Sequence, residues 1–330
     1  MNNKQTLILK RGSWSKANTF FALLLVLSLL VFAYSPVFSA KAQDAKKGPI
    51  TVASFIDSEG AVIGGMMVLL LRDAGFEVND MTEFGTPDIL RKALMAGEVD
   101  LVLDYTGSGQ YYHETDSQDV WSDAKLGYEQ TRKLDIEAND IYWLTPASAN
   151  NTEGLAVTNA FSQENNIKSI QDLADYVNAG GEVKLIASSS FVENIKGLVG
   201  FEEAYGFQLN ADQLIVLASG NTAEMLKALT EGRDKVNVSL VYGTDGALKD
   251  MGLVVLDDPK SIPPVYQPSP VLRGELYRQY PEIEEILKPL FETLSLDALQ
   301  TLNALVTYEG LAAKDVAKNY LVEQGLMKED

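Results

Sequence analysis

Ile50-Thr-Val-Ala-Ser-Phe-Ile-Asp-Ser-Glu-Gly-Ala-Val-Ile-Gly-Gly-Met-Met-Val-Leu-Leu-Leu-Arg-Asp-Ala-Gly-Phe-Glu-Val78 contains, in 29 residues, a β-rich run, a helical run and a second β-rich run. Ile50–Phe55 reads as a strand. Ser58 stands where a helix cap belongs, the helix runs through Leu71 and Arg72 to Gly75, and Phe76–Val78 resumes an extended pattern. The alternation continues downstream. Thr86-Pro87 places a cap and a first-turn proline ahead of Ile89–Leu94, Gly97 stops that helix, and Asp100-Leu-Val-Leu-Asp104 follows as a buried strand. Such β-α-β alternation predicts parallel α/β units rather than a sandwich.

A second set of the same kind begins beyond Asn150-Asn151-Thr152. Leu155–Val157, Val183–Ala187, Gln213–Leu217 and Val236–Val241 read as strands, Ser169-Ile-Gln-Asp172 as a capping box, and Asn221–Thr230 as a helix. Residues 253–272 are extended and proline-rich, and Arg273 to Gly325 reads as successive helices broken at Pro281 and Pro289. Two α/β sets and a helical tail predict two lobes. The chain crosses between them twice, so 43–150 joins 258–330 in a discontinuous first lobe, 153–255 forms the second, and 151–153 and 255–258 are hinges.

Upstream, Lys4, Lys10, Arg11 and Lys16 precede an apolar run from Phe20 to Ala33, and Ala40-Lys41-Ala42 offers the small residues of a cleavage site. Residues 1–42 therefore read as a secretory signal, with a membrane anchor as its uncleaved form. The run falls short of the roughly 20 residues of a comfortable membrane span. Both fates place 43–330 outside the cytoplasm. The signal holds five of the 27 basic residues and none of the 46 acidic ones, which leaves 22 against 46 and a net charge of −24. Such a surface repels nucleic acid and anionic lipid. With no cysteine, the chain has no disulfide framework, no thiolate and no lipid attachment point.

Catalysis has little to work with. The sole histidine, His113 beside Glu114, reads as an exposed loop pair; there is no nucleophile elbow and no phosphate-cradling glycine loop, and Gly60, Gly64 and Gly65 lack the required spacing. Asp104 and Asp245 would suit acid–base work only if the fold paired them; single carboxylates at strand ends also cap turns. No cofactor or metal is implied, and the chain reads as a non-enzyme. The informative signal is aromatic. Tyr105, Tyr242 and Tyr266 stand at strand ends, where open α/β sheets bind ligands, and ring faces with nearby negative charge hold a cation that has no N–H donors.

Gly-Thr-Pro at 85–87, Ala-Gly-Glu-Val-Asp-Leu at 96–101, Asp-Tyr-Thr-Gly at 104–107, Asn-Asn-Thr at 150–152, Tyr-Gly-Thr-Asp-Gly at 242–246 and Pro-Ser-Pro-Val-Leu-Arg at 268–273 resemble the glycine betaine, choline and carnitine binding proteins of osmoprotectant ABC transporters. The resemblance covers about 50–325. It implies a type II periplasmic-binding-protein fold, two α/β lobes with a ligand cleft between them, a tyrosine box, and delivery to a membrane permease. Tyr105 matches the tyrosine of the family's Glu-Tyr-Thr-Gly motif with Asp104 in the glutamate position; Tyr242 matches the one ahead of its Thr-Asp-Gly turn, and Tyr266 one in the return strand. Ser108 takes the place of a ligand-contacting threonine. Thr106, Asn151 and Thr244 belong to the matching motifs.

Three positions depart from that pattern. Phe55 stands where betaine binders of the family have a lysine, Asn194 where they have an arginine, and Glu153 where they have a cage aromatic. Losing two cations and gaining a carboxylate favours a plain cation over a zwitterion, unless Arg273, Lys196 or the backbone at Ser58–Gly60 supplies a partner for a ligand carboxylate. A periplasmic sensing subunit that docks a receptor is the alternative function.

Overall fold

The computed structural model describes residues 47–115, 118–218, 222–246, 248 and 250–329; the signal segment and Asn221 lie outside them. The first part of the chain runs β1 (Lys47–Phe55), α1 (Ser58–Asp73), β2 (Phe76–Gly85), α2 (Pro87–Ala96), β3 (Leu101–Tyr105), α3 (Gly109–Tyr112), α4 (Ala124–Asn139) and β4 (Ile141–Trp143). The middle part runs β5 (Glu153–Thr158), α5 (Asn159–Asn165), α6 (Ile170–Asn178), β6 (Leu185–Ser188), α7 (Ser189–Glu193), α8 (Leu198–Tyr205), β7 (Leu214–Leu217), α9 (Thr222–Glu231), β8 (Val238–Tyr242) and β9 (Leu253–Val255). The return part is β10 (Pro268–Arg273) followed by α10 (Gly274–Gln279), α11 (Glu282–Thr293), α12 (Leu296–Thr307) and α13 (Ala313–Glu323).

These strands make two sheets of five, in the orders β2-β1-β3-β10-β4 and β7-β6-β8-β5-β9. The expected parallel units form, with β1 parallel to β2 and β3 and β6 parallel to β7 and β8, but two strands run against them. β10 runs antiparallel to both β3 and β4, and β5 antiparallel to both β8 and β9. Each of these two strands follows a crossing of the chain from one lobe to the other, so it enters its sheet from the end where the parallel strands leave. That reversal decides where the site lies. The last residue of β3, Tyr105, faces the first of β10, Pro268, and the last residue of β8, Tyr242, faces the first of β5, Glu153.

Both faces of the first sheet are covered at its centre, so β3 and β10 are buried along nearly their whole length, whereas the edge strand β2 is largely exposed. Val52, Leu101 and Leu103 pack into a core with Met66 and Leu71 of α1 and Leu287, Phe291 and Leu302 of the tail helices. Ala53, Val102 and Val271 face the other way, against Leu90 and Leu94 of α2 and Trp143. The second sheet has its own core of Leu155, Leu185, Ile186, Phe191, Phe201, Met225 and Leu240. No helix among the described residues is long and apolar enough to cross a membrane.

Local signals were read with mixed accuracy. The capping box of Ser169 and Asp172 forms on α6, and Gly97 takes the left-handed conformation after α2. The cap of α1 is Asp57 rather than Ser58: its carboxylate accepts the Gly60 N–H at 2.7 Å. Pro289 does not break the tail but sits within α11. Its ring removes the N–H owed to the carbonyl of Glu285, and that side of the helix is exposed, so water can take the bond. His113 is not an exposed loop residue; its Nε2 lies 3.1 Å from Oδ1 of the fully buried Asp135.

Candidate functional site

The two crossing segments run side by side and are stitched together. Asn151 N–H donates to the Tyr266 carbonyl at 2.8 Å, Tyr266 N–H to Asn150 Oδ1 at 2.8 Å, and Thr152 Oγ1 to the Pro264 carbonyl at 2.7 Å. Tyr266 is thereby fixed two residues ahead of β10, beside the end of β3. The approach is close enough to require glycine at 107, where a Cβ would stand 2.8 Å from both the Tyr266 ring and the Val265 carbonyl. Thr106 staples the same junction, donating to the Val265 carbonyl at 3.2 Å and accepting the Gln267 N–H at 3.1 Å.

Tyr105 is buried, with its ring stacked on Phe55 at 5.6 Å and 6°. Its hydroxyl donates to Glu59 Oε1 at 2.5 Å. Glu59, in the first turn of α1, is buried as well, and its Oε2 accepts Asn303 Nδ2 of α12 at 2.7 Å. The same amide nitrogen donates to the Thr244 carbonyl at 2.8 Å, and the Thr244 hydroxyl adds a bond to Glu59. One carboxylate thus ties the Tyr105 ring of the first lobe to the turn that follows Tyr242 in the second. Burial pushes Glu59 up to about 7 in spite of these donors.

Two further carboxylates brace the tyrosines. Asp104 accepts the Tyr105 N–H at 2.7 Å, Ser108 Oγ at 2.8 Å and the Tyr112 hydroxyl at 2.8 Å; Asp245 accepts the Tyr242 N–H at 2.8 Å and Thr222 Oγ1 at 2.7 Å. Burial raises each to about 6. Each is committed to its own turn, which is the capping role rather than acid–base work. Phe55 backs Tyr105 from within the core, and Asn194 Oδ1 accepts the Lys196 N–H to close the turn after α7.

The Tyr266 hydroxyl accepts Gln110 Nε2 at 2.5 Å and lies 3.3 Å from that of Tyr111. The Tyr242 hydroxyl makes no hydrogen bond among the described residues. Burial pushes Tyr242 and Tyr266 well up, and the charge of Glu153 adds to the rise in both, which places that carboxylate within electrostatic reach of the two rings. Glu153 has no hydrogen bond or ion pair among the described residues, and burial alone lifts it to about 7. The structure therefore gathers Tyr105, Tyr242, Tyr266, Asn151, Glu153 and Thr244 around the strand ends. Glu59, Asn303, Gln110 and Tyr111 are the residues that sequence reading missed. An acidic residue in a first helical turn ordinarily means only favourable dipole placement at the surface. Asn303, on the same face of α12 as the buried Leu299 and Leu302, was the legible clue.

Four carboxyls raised by burial carry a stability prediction. Their folded values lie above the unfolded ones, so their contribution is full below about 4 and is lost as pH climbs through 6 to 7. The fold should be more stable at pH 5 than at pH 8 by at least about 2 kcal/mol. Urea denaturation at the two values checks this, and equal or greater stability at pH 8 would contradict it.

Residues 48–323 match the family described as the substrate-binding domain of ABC-type glycine betaine transport systems. The chain belongs to this family. It is 41% identical over 280 residues to the glycine betaine-binding protein YehZ of Escherichia coli K12, a match covering 85% of this chain and 92% of that protein. A glycine-betaine-binding protein of Pseudomonas aeruginosa is 30% identical over 82% of this chain and 86% of its own length. The solved structure of apo YehZ from E. coli superposes with a TM-score of 0.72 at 40% identity, covering 85% of this chain and all of that one. The fold is that of the periplasmic-binding proteins.

Proposed function

We propose that the chain is a non-catalytic, extracytoplasmic solute-binding protein that captures a quaternary-ammonium compatible solute between Tyr105, Tyr242 and Tyr266 and delivers it to the permease of an ABC transporter. The observation that supports this reading is the register of the two antiparallel strands, which sets Tyr105 against the start of β10, two residues after Tyr266, and Tyr242 against Glu153. An onium has no N–H to donate, so it is held by ring faces and negative potential, and both are present there. The names of the relatives, which speak of glycine betaine, support the same class of ligand. Residues 1–42 act as the export signal in this reading. Calorimetric titration with glycine betaine, choline and carnitine tests it; binding of none of them would overturn it.

The lobes 43–150 with 258–330 and 153–255 act as a clamp in this proposal, turning about 151–153 and 255–258. β5 begins at the first of these crossings and β10 only at Pro268, beyond the second, so a rotation about the crossings would move Tyr242 and Glu153 relative to Tyr105. A saturating ligand should therefore compact the protein in small-angle scattering. Superimposable profiles with and without ligand would count against the clamp.

A further inference from the structure

We infer that the site is built for a net-cationic quaternary amine carrying a hydroxyl, a choline-class ligand, and that Glu153 is the residue that sets its preference over a zwitterion. The inference rests on the reading of the site as a quaternary-ammonium cage and specifies what that cage accepts.

The first observation is Glu153 itself. It opens β5 directly opposite Tyr242, its charge reaches the Tyr242 and Tyr266 rings, and no donor or cation among the described residues meets its carboxylate. Every other carboxylate around the tyrosines has partners: Glu59 has Tyr105 and Asn303, Asp104 has Ser108 and Tyr112, Asp245 has Thr222, and Asp57 has the backbone of α1. A lone, poorly hydrated carboxylate beside aromatic residues is favourable in its ionised form only with a cation against it.

The second observation is where the candidate partners of a ligand carboxylate have gone. Arg273 pairs with Asp100 and Glu275 at the start of β3, the opposite end of the sheet from Tyr105, where two surface depressions of about 270 and 370 Å³ also lie. Lys196 reaches Asp119 at 3.6 Å. Arg91 is bound by the buried Asp135. The N-terminus of α1, the remaining place for an anion, is filled by Asp57, whose carboxylate takes the Gly60 N–H. A zwitterion would therefore bring its carboxylate toward Glu153 and Glu59, with Arg273 and Arg91 committed elsewhere and only Lys196, held by the exposed Asp119, loosely paired.

The third observation is Asn151, on the crossing segment between Tyr105 and Tyr266. Its Oδ1 is buried with no hydrogen-bond partner among the described residues, and its side chain lies close enough to the Tyr105 hydroxyl to lower that group's raised pKa. A buried orphan acceptor calls for a donor. The hydroxyl of choline supplies one; the carboxylate of glycine betaine does not.

The test is calorimetric titration of the wild type and Glu153→Gln at pH 8 with choline chloride, glycine betaine and tetramethylammonium chloride. Wild type should bind choline at least as tightly as betaine, and tighter than tetramethylammonium, which lacks the hydroxyl. Glu153→Gln should move the choline-to-betaine affinity ratio by at least about tenfold toward betaine. Should that variant fail to fold by circular dichroism, Glu153→Asp withdraws the charge by one methylene and should shift the ratio the same way by a smaller factor. Betaine binding tenfold tighter than choline in the wild type, or a substitution that changes both ligands equally, overturns the inference and leaves the cage standing. Equal affinity for choline and tetramethylammonium removes the hydroxyl from the assignment. Binding of none of the three defeats the cage reading as well.

Discussion

Tyr242→Ala should weaken binding of the quaternary-ammonium ligand by at least about tenfold while leaving the fold in place. A desolvated cation–π contact is worth on the order of 2 kcal/mol, more than a tenfold change in affinity requires. Tyr242 is the cleanest of the three rings to remove. Its hydroxyl has no hydrogen bond among the described residues, whereas Tyr105 is tied to Glu59 and stacked on Phe55, and Tyr266 is held by Gln110. Loss of Tyr242 therefore strands no buried partner, and its backbone N–H still donates to Asp245. Calorimetry on the variant, with a thermal melt as the control for folding, reads the result. Unchanged affinity in a folded variant would take Tyr242 out of the cage.

Asp135→Ala should cost the fold about 3–5 kcal/mol, because it removes one partner of a buried ion pair and leaves the other charged. Asp135 is fully buried in α4 and accepts both guanidinium nitrogens of Arg91, at 2.5 and 2.8 Å, together with Trp143 Nε1 at 2.6 Å and Asn139 Nδ2 at 2.9 Å. His113 adds a fifth contact at 3.1 Å. The damage should spread to the site, since the Arg91 guanidinium sits 4.1 Å from the centroid of Tyr112, whose hydroxyl holds Asp104 at the end of β3. Burial would raise the Asp135 carboxyl, but the bonds and charge of Arg91 outweigh it and hold it below the ordinary carboxylate value. Its contribution is therefore present at neutral pH and fades only as pH falls through that lowered value. Urea denaturation at pH 7 should show the full loss and at pH 3 a smaller one. A loss below about 1 kcal/mol at pH 7 would mean that Arg91 finds another partner.

The amino-acid sequence by itself determined the α/β alternation, the tyrosines at strand ends, the capping box at Ser169 and the family. These are local or nearly local properties: strand and helix periodicity, a cap three residues long, a motif of four or five. Only the tertiary structure decided that β5 and β10 run antiparallel to their neighbours, since direction depends on the end from which the chain re-enters a sheet and not on the residues of the strand. It alone showed that Glu59 is buried, because its partner Asn303 lies 244 residues away and nothing near Glu59 in the chain announces it. It moved the cap of α1 from Ser58 to Asp57 and placed His113 against Asp135. The fate of a charge was decided in the same way. Arg273 and Glu153 are each one ionisable residue at a strand end in the sequence, yet Arg273 is neutralised at the far end of the sheet and Glu153 has no hydrogen bond or ion pair among the described residues where it faces Tyr242, because electrostatics acts through space and the fold sets every distance.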